Sequence, residues 1–181
     1  TLGISLLNEI VTASELLKAN EILNNLRKKI KLSLHQTGQK DSSKDGMDIS
    51  LIVYDRKNKK LQYSGAYNPL YMIKTGQTKK LIEIKADRMP IGIYYNEKET
   101  FSNHELNYQE GDLIYLFTDG IVDQFGGEKK GKFKSTRLKK LLLSVNSKKM
   151  AEQKTLIEKS FDDWKKNTEQ IDDILLFGAR F

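Results

Sequence analysis

The sequence predicts a single domain of the α+β class. Segments of four to six residues that are apolar or alternate in polarity follow one another through the middle of the chain, as antiparallel strands do. Longer segments with apolar residues at helical spacing precede and follow them. Strands grouped between helices are typical of α+β folds. At 181 residues the chain can bury one sizeable core, and we find neither an internal repeat nor a linker.

The composition is that of a soluble globular protein, with 38% hydrophobic and 30% charged residues. No apolar run approaches the roughly 18–20 residues of a membrane span. The start of the chain, Thr1-Leu2-Gly3, has none of the features of a signal peptide. The absence of cysteine excludes disulfides and thiolate metal sites and is compatible with a reducing cytoplasm.

Helical spacing predicts four helices, at 2–11, 14–34, 137–145 and 150–164. The clearest is the second, whose apolar residues form one stripe: Ile22, Leu23, Leu26, Ile30 and Leu34. A polar loop is expected at 37–45, because it is rich in glycine and serine.

The strands are predicted as consecutive antiparallel pairs. Segments 49–54 and 61–64 form the first pair, 70–74 and 80–84 the second, and 101–106 and 113–117 the third. The first two pairs are joined by turns at 55–59 and 75–77. A final strand is expected at 174–181. The chain is predicted to be loop-like from Asp119 to Gly127.

The most informative stretch is Gly111–Gly120. Its five apolar residues at 113–117 predict a strand buried on both faces, which stops abruptly at Thr118-Asp119-Gly120. Gly120 allows a sharp turn. An acidic side chain at the end of a buried strand is well placed to hold a cation. The alternative is that Asp119 only begins a turn, as Asp-Gly often does.

A second acidic stretch lies near the end of the chain, where Asp172 and Asp173 precede another short apolar run. If the two strands lie side by side, Asp119 and Asp172 approach each other. Two neighbouring carboxylates repel unless a cation lies between them. Hard oxygen ligands favour magnesium, manganese or calcium over softer metals.

The order of these motifs resembles the SpoIIE branch of the PPM (type 2C) metal-dependent serine/threonine phosphatases. Besides Thr118-Asp119-Gly120 and Asp172-Asp173-Ile174, four stretches resemble family segments: 45–51, 63–70, 89–92 and 123–127. Residue 67 is tyrosine where many members have histidine. The resemblance runs from about Leu2 to Phe181. It implies a four-layer α-β-β-α sandwich with mostly antiparallel sheets.

The resemblance also implies a chemistry. Such phosphatases use two Mn²⁺ or Mg²⁺ ions to activate a water that attacks phosphorus, with no cysteine nucleophile. By motif match, Asp119 and Asp172 are metal ligands, and Gly120 shapes the turn that presents Asp119. Asp123 and Asp173 are candidates for supporting the ligands, although Asp173 also suits a purely structural place in the last turn.

One departure is serious, because two further acidic motifs of the family precede the part that this chain resembles. The metal-bridging aspartate of the family therefore has no counterpart here. We expect residues 1–181 to be one domain that lacks its N-terminal strands, binds metal weakly and has little activity alone. The exposed sheet edge would favour dimerisation.

Family members suggest the biological setting. The resemblance implies the output domain of a bacterial signalling protein that dephosphorylates phosphoserine or phosphothreonine on a regulatory partner, such as an anti-sigma-factor antagonist. It would work in the cytoplasm, or at the cytoplasmic face of the inner membrane through a segment not in this sequence. We expect no membrane contact by the domain itself. The alternative is a non-catalytic phosphatase-like module that binds an acidic or phosphorylated partner.

The net charge of +7 has a local origin. Much of it comes from one segment, whose candidate partner-binding residues are Lys129, Lys130, Lys132, Lys134 and Arg137. Three interpretations remain open: a solvated surface, a site for an acidic or phosphorylated protein, and a nucleic-acid site. The last is disfavoured because no nucleic-acid-binding motif accompanies the charge, so we expect no nucleic-acid partner.

Overall fold

The computed structural model describes residues 2–13, 18–38, 43–76 and 80–181. The helices are α1 Leu2–Thr12, α2 Ala19–Ser33, α3 Asp119–Asp123, α4 Ser135–Val145 and α5 Met150–Lys165. The strands are β1 Ile49–Asp55, β2 Lys60–Ala66, β3 Leu70–Ile73, β4 Leu81–Ile84, β5 His104–Asn107, β6 Leu113–Phe117, β7 Phe125–Gly126, β8 Gly131–Lys132 and β9 Leu176–Arg180. The chain forms two compact units: Thr1–Pro69 with Ile84–Asn107, and Leu70–Glu83 with Tyr108–Phe181.

The first unit combines α1 and α2 with a three-stranded sheet in the order β1-β2-β5. Both strand pairs are antiparallel, with Leu51 opposite Ser64 and Tyr63 opposite His104. The apolar stripe of α2 faces the core as predicted, and Leu23 and Leu26 are completely buried. Burying such a stripe stabilises a helix more than its intrinsic propensity does.

The second unit is built on a four-stranded sheet in the order β4-β3-β6-β9. Strand β6 lies at its centre and pairs antiparallel with both β3 and β9. Four of its five residues are buried, which confirms the prediction of a strand covered on both faces. Apolar residues of α4 and α5 pack with those of β3 and β6 in one cluster, which includes Tyr71, Tyr115, Phe117, Leu138, Leu142, Ile157 and Phe161.

The predicted pairing of 101–106 with 113–117 is wrong. Strand β5 is shorter than predicted and pairs with β2, whereas β6 pairs with β3 and β9. The reason is polarity. The sequence of β5, His-Glu-Leu-Asn, alternates and suits a half-exposed edge strand, whereas the continuous apolar run of β6 requires neighbours on both sides.

The predicted loop after Asp119 is also wrong. Residues 119–123 form the short helix α3, and 125–132 form a small antiparallel hairpin of β7 and β8. Burial of Ile121 explains the helix, because this side chain joins the core of the second unit. Residues 14–17 of the predicted second helix, 39–42 of the predicted loop and 77 of the predicted turn lie outside the described residues.

The prediction of an α+β fold with mostly antiparallel sheets is confirmed, since every strand pair whose register is known is antiparallel. Within the described ranges, no helix combines the length and the apolar composition needed to cross a membrane.

Candidate functional site

Asp119 lies where β6 ends and α3 begins. Thr118 keeps an extended backbone at the N-cap position, without a side-chain bond to the helix, so the chain changes from strand to helix within one residue. The Asp119 side chain is exposed, although it directly follows a buried strand. The carboxylate is therefore held on a rigid element and remains accessible.

Thr118 joins this point to the second acidic stretch. Its N–H donates to the carbonyl of Leu175 at 3.0 Å, and its Oγ1 accepts from the Leu175 N–H at 2.9 Å. The same hydroxyl donates to the carbonyl of Asp173 at 2.9 Å. These bonds continue the β6–β9 ladder beyond its last pair, Phe117 with Leu176. The structure thus brings the Asp172–Asp173 backbone to the end of β6, beside Asp119.

Gly120 permits this close approach. A Cβ atom at this position would lie 2.4 Å from the carbonyl oxygen of Asp173 and 3.0 Å from its carbonyl carbon. Both neighbours are backbone atoms, which cannot swing aside. Glycine is needed at 120 for space and not for an unusual backbone angle, because its conformation here is helical.

Asp172 and Asp173 are both exposed. The Oδ1 of Asp172 accepts from the N–H of Asp173 at 2.7 Å, and the Asp172 carbonyl accepts from the Gln170 side chain at 2.8 Å. These short-range bonds order the turn that carries Asp172. The carbonyl of Asp173 is used by Thr118, so its backbone has the structural role that the sequence left open.

Asp123 lies at the other end of α3. Its Oδ2 is 3.0 Å from the Lys132 Nζ. This ion pair fastens the β7–β8 hairpin to α3. The structure shows Asp123 in contact with that hairpin.

Asp119 and Asp172 carry exposed carboxylates, which are the type of ligand that Mg²⁺ and Mn²⁺ prefer. Magnesium is commonly bound through one or two carboxylates and keeps several waters. In the part of the chain that the structure describes, no group of three or more His, Cys, Asp or Glu side chains is placed to hold a metal ion. The assignment of Asp119 and Asp172 as ligands therefore stays a prediction.

Sequence reasoning missed Asp112, at the opposite end of β6. Its side chain is completely buried and accepts from the N–H groups of Thr75 at 2.7 Å and Gln109 at 3.0 Å. Lys74 Nζ lies 3.0 Å away. Burial opposes ionisation of Asp112, but the two N–H groups and the ammonium outweigh it and hold its pKa below its usual range.

Gln124 was missed as well. It is fully buried after α3, and its side chain donates to the carbonyls of Glu169 at 2.8 Å and Phe125 at 3.0 Å. It therefore ties the segment after Asp119 to the segment before Asp172. A buried glutamine in a polar stretch gives no sequence signal of this role.

The basic residues are placed by the hairpin and by α4. Lys129 and Lys130 lie in the turn between β7 and β8, and Lys132 lies on β8. Lys134 is the N-cap of α4. The guanidinium of Arg137 lies over the Trp164 ring, 4.0 Å from its centroid. The structure therefore gathers the predicted partner-binding residues around one hairpin and the start of one helix.

The family-like stretch 63–70 has a structural explanation. The carbonyl of Asn68 accepts from the hydroxyls of Tyr63 and Ser50, both at 2.6 Å. Tyr67 has a φ of 60°, a left-handed conformation uncommon for tyrosine, and its N–H donates to the carbonyl of Asp87 at 2.9 Å. These bonds shape the bend that follows β2.

The family model described as Stage II sporulation protein E (SpoIIE) matches residues 4–181. Among solved structures, the SiaA-PP2C domain of Pseudomonas aeruginosa is 26% identical, with a TM-score of 0.84. That match covers 99% of this chain and 66% of the other. A comparison with curated proteins gives no match.

Two further structures show the same fold at lower identity. One holds the PP2C phosphatase domain and a fragment of the regulatory domain of SpoIIE, a cell fate determinant of Bacillus subtilis: it is 15% identical with a TM-score of 0.72, over 99% of this chain and 48% of that one. The other is RsbX in complex with magnesium, at 12% identity and a TM-score of 0.61, over 98% and 71%. The chain thus spans less than two thirds of the first two structures. The predicted fold class is confirmed by these similarities.

Proposed function

The chain belongs to the SpoIIE family, as its motifs predicted, and from this membership we propose that it is the catalytic part of a metal-dependent protein serine/threonine phosphatase in a bacterial signalling protein. It is homologous to PP2C-type protein phosphatases, which are hydrolases. The alternative of a non-catalytic binding module is not favoured, since the SiaA and SpoIIE structures to which the chain is similar are PP2C domains.

One observation in this chain carries the proposal. Thr118 bonds the end of β6 to the backbone of Asp173 and Leu175, so that two acidic stretches 53 positions apart share one end of the sheet. We propose that Asp119 and Asp172 hold Mn²⁺ or Mg²⁺ there. The RsbX structure contains magnesium, which supports the metal class.

Residues of this chain would keep the two carboxylates in place for the ions. Thr118 and Gly120 set the separation of the two stretches, and the Asp172 turn is ordered by its own backbone bonds. A bound divalent ion supplies an activated water and neutralises charge on the phosphoryl group. In the hydrolysis, a water oxygen forms a bond to phosphorus, the bond between phosphorus and the serine oxygen breaks, and the leaving oxygen takes a proton.

The substrate proposed is a phosphoserine- or phosphothreonine-bearing regulatory protein, such as an anti-sigma-factor antagonist. The similarity to a cell fate determinant supports a regulatory setting. We propose that the domain works in the cytoplasm or at the cytoplasmic face of the inner membrane. Two carboxylates hold two ions poorly, so we expect this chain by itself to bind metal weakly and to turn over little substrate.

Calorimetric titration of Mn²⁺ tests the ligand assignment. We expect weak binding to the chain, a further loss in Asp119→Asn and in Asp172→Asn, and no change in Asp163→Asn, which removes an exposed carboxylate of α5. Hydrolysis of a phosphoserine peptide by the same proteins in the presence of Mn²⁺ should be slow and should fall further in the two ligand variants alone. Equal Mn²⁺ affinity in all variants would show that Asp119 and Asp172 are turn residues only.

A further inference from the structure

The excess of positive over negative charge in the chain comes from one segment. Residues 129–140 contain seven Lys and Arg residues and no acidic residue, out of 31 basic residues in the chain. The remaining 24 basic residues equal the 24 Asp and Glu residues in number. The rest of the molecule is therefore neutral overall. The net charge of +7 equals the charge of residues 129–140.

These residues surround a cleft in the second unit. The cleft has a volume of about 730 Å³ and lies between the β7–β8 hairpin, one side of α4 and the C-terminal part of α5. Its cationic lining is Lys129, Lys132, Lys134, Arg137 and Lys140. Phe133, Leu141 and Trp164 supply its apolar part. A cleft of this size accommodates several side chains of a peptide.

The frame of the cleft is fixed by backbone bonds. The N–H of Gly127 donates to the carbonyl of Trp164 at 2.8 Å, that of Phe133 to Gln124 at 2.9 Å, and that of Lys134 to Val122 at 2.7 Å. A Cβ atom on Gly127 would lie 2.6 Å from the indole ring, so the hairpin approaches Trp164 as closely as glycine allows. The backbone that carries these residues is therefore held in place by hydrogen bonds.

Among the described residues, most of these cations have no acidic partner. In the described ranges, ion pairs form at two of the seven, Lys132 with Asp123 at 3.0 Å and Lys139 with Glu83 at 2.7 Å. The other five are exposed. Five exposed cations of one sign around a cleft give it a positive potential, which attracts anions.

The start of α4 increases this positive potential. The positive end of a helix dipole favours acidic residues, yet the first turn of α4 has none. Its N-cap is Lys134, and Arg137 lies in its first turn. This arrangement runs against the usual rule for helix stability, and such violations mark functional sites. An oxyanion in the cleft would meet both the side chains and the helix terminus.

The aromatic part of the cleft distinguishes between anionic partners. Single-stranded nucleic acids are held largely by bases stacked on open aromatic rings. The indole of Trp164 is not open, because Arg137 covers it and the backbone of Gly126 and Gly127 lies against it. The stacked guanidinium instead keeps its planar N–H groups oriented, as bidentate binding of carboxylate or phosphate requires.

We propose that this cleft is a docking site for an acidic segment of a protein partner, which it recognises through carboxylate or phosphate groups. The inference rests on the proposed function in one respect, that the partner is the phosphoprotein substrate. Docking needs neither metal nor turnover. It would add binding energy away from the phosphoryl group.

Calorimetric titration of peptides into the whole chain, without metal, tests the docking site. The probes are a glutamate-rich peptide, the same peptide with glutamine for every glutamate, and the glutamine peptide carrying phosphoserines. We expect the acidic peptides to bind, the neutral peptide to fail, and the affinity to fall as salt rises. Binding of the glutamate peptide alone would show that the cleft recognises carboxylates, and binding of the phosphoserine peptide alone would show that it recognises phosphates.

Two charge-matched variants decide whether the cleft is responsible. Lys134→Gln with Lys140→Gln should lower affinity about tenfold. Lys28→Gln with Lys57→Gln removes the same charge from exposed sites in the first unit and should leave the affinity within about twofold. Arg137→Lys keeps the charge but loses the planar fork, so an intermediate loss is expected.

Equal losses in the two double variants would overturn the proposal, because binding would then follow net charge alone. Tighter binding of an oligonucleotide than of either acidic peptide would also overturn it. The outcome is separate from that of the proposed catalysis. Asp119→Asn should leave peptide binding unchanged, and absence of phosphatase activity would not affect this assay.

Discussion

Strand β6 has an aspartate at each end, and the two have opposite fates. Asp112, just before the strand, is completely buried and bonded to two N–H groups and an ammonium. Asp119, just after it, is exposed. One carboxylate is used up in holding the fold together, and the other is presented to solvent. The residue type alone does not show whether an aspartate stabilises the fold or is free to bind a ligand. The hydrogen-bond donors around it determine which of the two it does.

The largest effect is expected at the exposed end. If Asp119 is a metal ligand as proposed, Asp119→Asn in the whole protein should lower turnover about 1,000-fold, or about 4 kcal/mol in activation free energy. Thermal unfolding of the same variant should be unchanged, since the Asp119 side chain is exposed. Phosphoserine-peptide hydrolysis and a melting curve measure the two quantities. Unfolding of the variant would remove the contrast between the two ends.

The next largest effect is expected for Gly120→Ala. The added methyl would meet the carbonyl oxygen of Asp173 at 2.4 Å, so we expect a loss of about 2–3 kcal/mol in unfolding free energy. Urea denaturation measures it. Gly131→Ala is the matched control, because a Cβ there has no neighbour within 4 Å among the described residues. Similar losses in both variants would mean that the close approach at Gly120 does not restrain the site.

At the buried end, Asp112→Asn should cost about 2 kcal/mol of unfolding free energy at neutral pH. The variant keeps one acceptor oxygen but presents an NH₂ group to the remaining donors, which lose their charged partner. Urea denaturation of the two proteins gives the difference. Mn²⁺ affinity should not change. A variant with normal stability and weakened metal binding would reverse the roles assigned to the two aspartates.

The pH dependence of that difference has a definite sign. The pKa of Asp112 is lowered in the fold, because bonds to Thr75, Gln109 and Lys74 outweigh the opposing effect of burial. Its stabilising contribution is therefore complete above the unfolded pKa of about 4 and is lost as the pH falls through the folded value. Wild type and Asp112→Asn should converge in stability only in that acidic range. A difference that stays constant down to about pH 2 would contradict this account.

The smallest effect is expected for Thr118→Val. The substitution keeps the shape and removes the hydroxyl that links Asp173 and Leu175. These groups are partly solvated, so we expect about 1 kcal/mol and a modest loss of Mn²⁺ affinity. Thr136→Val, at an exposed position of α4, is the control. An unchanged Mn²⁺ affinity would show that Thr118 does not position the two acidic stretches.

Much of this site followed from local pattern. The apolar run of β6 and its stop at Asp119 predicted a buried strand followed by an acidic residue at its end. The structure has both. The neighbouring position of the last strand was a conditional prediction that the β6–β9 pairing confirms. Patterns of this kind are visible because they depend on the residues within one element.

What escaped prediction depends on partners distant in sequence. Asp112 is defined by Lys74 and Thr75, which reach it only once β3 and β6 are paired. The predicted pairing of β5 was wrong for a related reason. An alternating segment can form the edge strand of either sheet. Gly120 was noted as a turn residue, whereas its real constraint is the Asp173 backbone 53 positions away.

The placement of Trp164 has a practical consequence. It is the single tryptophan of the chain. Its indole lies against the hairpin backbone, with a guanidinium 4.0 Å from its centroid, so its emission depends on the charge held directly above the ring. An anion bound by the stacked Arg137 guanidinium would offset its charge and so change the field at the ring. The intrinsic fluorescence of the unlabelled protein is therefore a built-in optical sensor whose signal comes from this one cleft.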